Sequence, residues 1–283
     1  MLNGMQVRFH DSGDDFRAVA GPLYRRAPVA NTVELTVLDT DDIPEDSLLL
    51  TLWKGSTLVG AALQTPPYPL ACNNIPIAGV EAVAAAVAEA RPQLPGVRGA
   101  RDVALAFSTS WRERTGAEGV VALEECLYAL ADLHPPTTVA GAARIGDRRD
   151  RAVLIDWTER FFGETFGHPR DDAAGARFVD TARDRGDVYV VWDVDHAPVS
   201  TAVLRAAAAG VSRIGPVYTP EPHRRHGYGS AVTAAAAAIA LDRGDDGVVL
   251  FTDLANPTSN AIYRRIGFRP VSECVRIDFR TPG

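Results

Sequence analysis

Apolar positions along the chain fall into two rhythms. In the second half, Leu154, Trp157, Phe161 and Phe162 recur at helical spacing and predict a helix over residues 151–162, with a second over 173–183 closed before Gly186. Short β-rich runs at 188–192 and 199–204 read as strands joined through Asp193-Val194-Asp195-His196, and a further strand runs from Val211 to about Thr219. The alanine-rich segment 224–243 is a helix, because alanine loses little side-chain entropy there, and Gly244 is placed to stop it. A buried strand at 248–252 follows. Asn256 and Pro257 then open a helix that ends at Gly267, the asparagine oxygen capping backbone N–H groups and the proline tolerated in the first turn. In the tail, Val275, Ile277 and Phe279 alternate with Arg276 and Asp278, as in a strand with one buried face.

The first half echoes this order. Strand-like runs at 48–54 and 57–64 match the later hairpin, with Trp53 placed like Trp192, and helical runs at 80–89 and 100–114 stand where the later two helices stand. A strand-like run at 120–130 leads to His134-Pro135-Pro136-Thr137-Thr138, a loop signal, and a new element starts near Val139. The expected division is therefore residues 1–136 and 137–283, two copies of one plan.

Composition narrows the chemistry. With 283 residues and 46% hydrophobic content the chain can bury a sizeable core. A net charge of −7 argues against a general nucleic-acid binder, which needs a basic face. The N-terminus lacks a leader pattern, and the longest apolar run, 231–241, is far below the ~20 residues of a membrane span, so a cytoplasmic location without membrane partners is expected. Cys72, Cys126 and Cys274 are scattered and have no metal-ligand spacing, which predicts buried reduced thiols and no metal.

The candidate chemistry lies at the start of the alanine-rich helix. Gly227 and Gly229 remove side chains from its first turn, so backbone N–H groups can approach an anion that the helix dipole also favours. The dinucleotide fingerprint is excluded because Val232 occupies its third glycine position, and a Walker lysine is excluded because Lys54 is the only lysine. The longer string Val217-Tyr218-Thr219-Pro220-Glu221-Pro222-His223-Arg224-Arg225-His226-Gly227-Tyr228-Gly229 resembles the motif of the GNAT acyltransferase family, a strand ending in Val-x-x-Pro followed by Arg/Gln-x-x-Gly-x-Gly/Ala. A second match, Asn256-Pro257-Thr258-Ser259-Asn260-Ala261-Ile262-Tyr263 through Gly267-Phe268, looks like a compressed form of the family's Asn- and Tyr-bearing segment.

The resemblance covers roughly residues 139–280 and implies an α/β (α+β) fold of two GNAT-like domains, each a mixed, mostly antiparallel central sheet flanked by helices. It implies acetyl-coenzyme A as co-substrate and transfer of an acetyl group to a primary amine of a small molecule or protein, by direct attack in a ternary complex. By the same resemblance, backbone groups of Val217, Tyr218 and Thr219 pair with the pantetheine arm. Amides from Arg225, His226, Gly227, Tyr228, Gly229 and Ser230, with Arg224 adding charge, hold the diphosphate. Asn260 and Tyr263, three apart on one helical face, both meet the coenzyme, and Asn256 joins them besides explaining itself as a helix cap. Tyr263 protonates the departing thiolate, and a backbone N–H near Tyr218 receives the oxyanion.

The acceptor side is less legible. Many family members place a glutamate inside the fourth strand, but here that stretch is Val211-Ser212-Arg213-Ile214-Gly215. Glu221, Asp253, His196 and His168 remain alternative bases. Pro76-Ile77-Ala78-Gly79 opens the first-half helix, so no coenzyme motif is expected there, and the first half could cover the acceptor, bind it, or only stabilise its neighbour. A non-catalytic acyl-coenzyme A sensor is the competing reading, and either a monomer or a homodimer fits.

Overall fold

The computed structural model describes residues 4–40 and 43–280. In chain order the first half runs β1 (Met5–Phe9), α1 (Gly13–Tyr24), α2 (Thr32–Leu38), β2 (Leu48–Lys54), β3 (Thr57–Gln64), β4 (Leu70–Ala71), α3 (Val80–Ala90), β5 (Gly96–Ala100), α4 (Arg101–Thr115) and β6 (Glu118–Leu130). The second half repeats that order with β7 (Ala142–Ile145), α5 (Arg151–Phe166), α6 (Asp172–Asp180), β8 (Val188–Val194), β9 (Ala197–Leu204), β10 (Val211–Tyr218), α7 (Tyr228–Asp242), β11 (Gly247–Asp253), α8 (Pro257–Arg265) and β12 (Phe268–Arg280). The fold is mixed α/β, mostly antiparallel, with helices flanking the strands, as the sequence implied.

The chain forms two compact units, and neither is contiguous. One holds residues 4–127, 253–255 and 271–280; the other holds 128–252 and 256–270. The sequence boundary at 136/137 divides the chain by motif content, whereas the last strand is built into the first unit. There β12 pairs antiparallel with β5, from Cys274↔Ala100 to Asp278↔Gly96. Its alternation explains the placement. Val275 and Ile277 are buried in the same core as Leu50 and Leu52 of β2, Val83 and Val87 of α3, and Phe107 and Trp111 of α4, while Phe279 stacks on Trp111 at 5.2 Å between centroids. The strand order of this unit is β1-β2-β3-β4-β5-β12-β6.

In the second unit the order is β11-β10-β9-β8-β7, with β10 and β11 parallel and the other pairs antiparallel. Leu154 of α5, Tyr189 and Val191 of β8 and Val203 of β9 share one core cluster. On the other helix, Ala231, Ala234, Ala236, Ala237 and Ala240 of α7 are buried, and their small side chains let it pack on β8, β9 and β10. Cys72, Cys126 and Cys274 are free and buried.

Several boundaries differ from the sequence reading for local reasons. The alanine-rich helix begins at Tyr228 rather than Arg224, because Arg225 at φ 67° and Gly227 at φ 83° leave right-handed helical space. The β8–β9 turn tightens to Asp195-His196, both at positive φ, so β8 continues to Val194. The sequence reading assigned no elements over β1, α1 or α2, and the element it started near Val139 begins as β7 at Ala142. Helix α1 contains Gly21 and Pro22, which obscure its stripe, yet Phe16, Ala20 and Tyr24 lie buried at helical spacing.

Candidate functional site

The site is built where β10 and β11 part. They pair in parallel from Val211↔Gly247 to Ile214↔Leu250, and no further. Beyond that point Gly215 sits at φ 149° and Pro216 has no N–H to offer. A register shift between Ile214 and Val217 then re-seats β10 on β9, with Val217 opposite Ala202 and Tyr218 opposite Thr201. Because β10 and β11 run in the same direction, their carboxyl ends open at one edge of the sheet. Both α7 and α8 start from that edge, the usual place for a ligand in an open α/β arrangement.

The approach to α7 frees a run of backbone donors. After Pro220 a short 3-10 turn covers Glu221–His223, Arg224 is extended, and Gly227 caps the helix in the left-handed region. The first α7 bond runs from Ala231 N–H to the Gly227 carbonyl at 3.0 Å. The amides of Tyr228, Gly229 and Ser230 therefore precede the ladder and point out of the helix start. A side chain at Gly229 would place its Cβ 3.2 Å from Thr219 Oγ1, and one at Gly227 would lie 2.9 Å from Val139 Cγ2. The His226 and Tyr228 rings stack at 5.4 Å, and Ser230 is buried. Positive dipole, unpaired amides and missing side chains together suit a bound anion, so the residues fit a diphosphate.

The last residues of β10 are held by side chains. Ser200 Oγ donates to the Tyr218 carbonyl at 3.1 Å and lies 2.8 Å from Thr219 Oγ1, while Arg224 Nε donates to the Thr219 carbonyl at 3.0 Å. The Tyr218 ring packs beside Trp157 of α5, and its hydroxyl donates to Glu164 Oε1 at 2.8 Å. Arg224 also reaches Glu164, Nη2 to Oε2 at 2.5 Å. Burial, then the neighbouring Glu164, pushes the Tyr218 phenol up to about 12. For Glu164, burial works upward, but the hydrogen bonds from Tyr218 and Arg224 outweigh it and hold the carboxyl below its ordinary value.

Sequence reasoning missed Glu164, although a signal was present. Trp157, Phe161 and Glu164 fall at helical spacing, so a glutamate follows the apolar stripe that faces β10.

On α8, Asn256 is a helix cap: its side chain accepts from Ser259 N–H at 3.0 Å, and its carbonyl accepts from Asn260 Nδ2 at 2.7 Å. Asn260 Oδ1 accepts from the Tyr128 hydroxyl at 3.1 Å, which in turn accepts from Arg264 Nε at 3.1 Å. Tyr263 is half-buried with its ring 6.3 Å from Phe268, and burial pushes its phenol up to about 12. The structure thus brings Tyr218 and Arg224 onto Glu164, with Arg224 also holding Thr219, and Asn260 onto Tyr128, with Asn256 holding Asn260.

The four sequence candidates for a base sit in local structure. Glu221 lies in the exposed 3-10 turn, and Asp253 accepts from Ala255 N–H at 2.7 Å. His196 is in the β8–β9 turn, and His168 stacks on Phe162 at 6.3 Å just past α5. Among the described residues no group of three or more His, Cys, Asp or Glu could hold a metal ion, and no helix is long and apolar enough to cross a membrane.

Residues 151–268, spanning α5 to the start of β12, match the model of the Acetyltransferase (GNAT) family. That stretch holds both the glycine motif and the Asn260–Tyr263 segment. Solved structures share the fold over nearly the whole chain. An acetyltransferase from the GNAT family of Colwellia psychrerythraea superposes with a TM-score of 0.63 at 9% identity, covering 97% of this chain and 100% of its own. A GCN5-related N-acetyltransferase from Sphaerobacter thermophilus gives 0.62 at 17% identity, covering 99% and 97%. A tandem GNAT protein from the clavulanic acid biosynthesis pathway gives 0.60 at 13% identity, covering 99% of both chains. No curated protein matches the sequence. The element order of the second half repeats that of the first, and the first lacks the glycine motif.

Proposed function

We propose that the chain is a cytoplasmic N-acetyltransferase that moves an acetyl group from acetyl-coenzyme A to a primary amine of a small molecule or protein, its chemistry confined to the second half. The observation that carries this reading is the unpaired amide run at the start of α7, opening at the same sheet edge as α8 with Tyr263. Amides from Arg225 to Ser230 hold the diphosphate, and backbone groups of Val217 to Thr219 line the pantetheine arm. Asn260 faces that arm. Tyr263 keeps its proton throughout the neutral range and gives it to the departing thiolate, a role its raised phenol suits. A backbone N–H near Tyr218 receives the oxyanion, and fixing both reactants replaces a bimolecular encounter.

The absence of a carboxylate inside β10 favours a second reading, a sensor that binds acyl-coenzyme A without turnover. A panel of primary amines, peptides included, assayed by release of free coenzyme A thiol separates the two. Tyr263→Phe is expected to lower kcat about a hundredfold with coenzyme affinity unchanged. Coenzyme binding with no thiol release from any amine would instead establish the sensor, and no binding by calorimetry would remove both readings.

A further inference from the structure

Glu164 and the coenzyme both have a claim on the same arginine. Arg224 stands between the end of β10 and the α7 amides, and its guanidinium is committed to the Glu164 carboxylate and the Thr219 carbonyl. Glu164 is half exposed, so its pair with Arg224 is open to competition from a stronger anion arriving at the α7 start. Resting on the acetyltransferase reading, we propose that the coenzyme's diphosphate draws Arg224 away from Glu164, and that the carboxylate so unmasked receives the ammonium of a cationic amine acceptor.

The surroundings of Glu164 support both halves. Tyr218 donates to its other oxygen from the end of β10, so the carboxylate stays anchored when Arg224 leaves. A second cation facing it is Arg160, one turn back on α5, which is paired with Asp156 at 2.8 Å. Removing Arg224 takes away a positive neighbour that depresses the Glu164 carboxyl, which makes the carboxylate a better proton acceptor once the donor is bound. The acceptor's ammonium then passes one proton to Glu164, and the neutral nitrogen forms the C–N bond as the C–S bond breaks. The thiolate takes its proton from Tyr263, the acylated nitrogen gives its second proton to the resulting phenolate through water, and Glu164 releases its proton to solvent. This supplies from α5 the carboxylate that β10 lacks, and it makes donor binding a precondition for a competent acceptor site.

Carboxyl footprinting tests the exchange directly. The full chain is labelled with glycine ethyl ester and a carbodiimide, with and without saturating coenzyme A, and the Glu164 peptide is quantified by mass spectrometry. Labelling of Glu164 is expected to rise severalfold with coenzyme A; unchanged or reduced labelling overturns the exchange. In parallel, Glu164→Gln, which keeps shape and removes charge, is expected to bind coenzyme A about two- to fivefold more tightly, the range of an exposed ion pair. Its affinity advantage should vanish at acid pH, where wild-type Glu164 is also uncharged. Equal affinity at neutral pH overturns the competition. With an amine from the panel, Glu164→Gln should lower kcat/KM at least about a hundredfold and flatten the acid limb of its pH profile; an unaltered profile overturns the acceptor role. Failure of the wild-type chain to bind coenzyme A counts against the function itself, whereas binding with an unresponsive Glu164 counts against this inference alone.

Discussion

The two copies begin their central helix in opposite ways. In the first unit a 3-10 turn over Ile77–Gly79 runs straight into α3, so Gly79 N–H bonds the Pro76 carbonyl at 2.7 Å and Val80 N–H bonds the Ile77 carbonyl. Gly79 has φ −101°, and a Cβ there would run into Leu52 Cδ2 in the core. Glu81 adds a carboxylate to the first turn, where it satisfies the helix dipole and repels any arriving phosphate. In the second unit, left-handed Arg225 and Gly227 interrupt the chain before α7, the early amides stay unpaired, and the first turn carries no acid. The same element order therefore yields a packing element in one unit and a run of amides left outside the helix ladder in the other. What differs is a few residues of backbone conformation, not the architecture.

Substitution at the two glycines breaks this comparison most sharply. Gly227→Val forces a β-branched residue into φ 83° and against Val139. It should weaken coenzyme A binding by about a hundredfold, equivalent to roughly 2.7 kcal/mol, as read by calorimetry. Retained affinity would mean that the left-handed step does not shape the site. Gly79→Ala should behave in the reverse manner. Its methyl group overpacks the core against Leu52 and costs about 1–3 kcal/mol of stability in denaturant melts, while coenzyme binding by the folded protein stays at the wild-type level.

The smallest effect concerns pH and the second unit. Arg144 pairs with buried Asp150 at 2.6 Å, and hydrogen bonding to Arg144, against the opposing effect of burial, lowers the Asp150 carboxyl. A lowered folded-state value means stability that is present above the ordinary carboxylate range and lost as pH falls through the folded value. Acid unfolding of Asp150→Asn should therefore be shallower than that of wild type below about pH 4. Identical acid slopes would show that this pair does not couple protonation to folding.

Much of this division was readable from residues alone. The glycines at 227 and 229, the strand before them and the alanine run after them carry local conformational and chemical preferences that need no tertiary partner. So does the Asn256 cap, since its donor lies three residues away. The repeated order was visible in the hairpins and helices, although α1 escaped because Gly21 and Pro22 interrupt its pattern, and α2 is only seven residues long. The tail was legible as a strand, because alternation is local.

Which sheet that strand joins was not legible. Val275 and Ile277 would satisfy any apolar face, and only the assembled core shows that they pack with α3 and α4 of the first unit. Glu164 illustrates the same limit in the site. Sequence places it on the β10-facing side of a helix, but its meeting with Tyr218 and Arg224, 54 and 60 positions away, is fixed by packing. Local sequence determined the Asn256 cap, the glycines before the alanine run and the periodicity. Tertiary structure decided which unit took the last strand and which carboxylate stands beside the arginine, because burial and charge pairing act between residues that the chain keeps far apart.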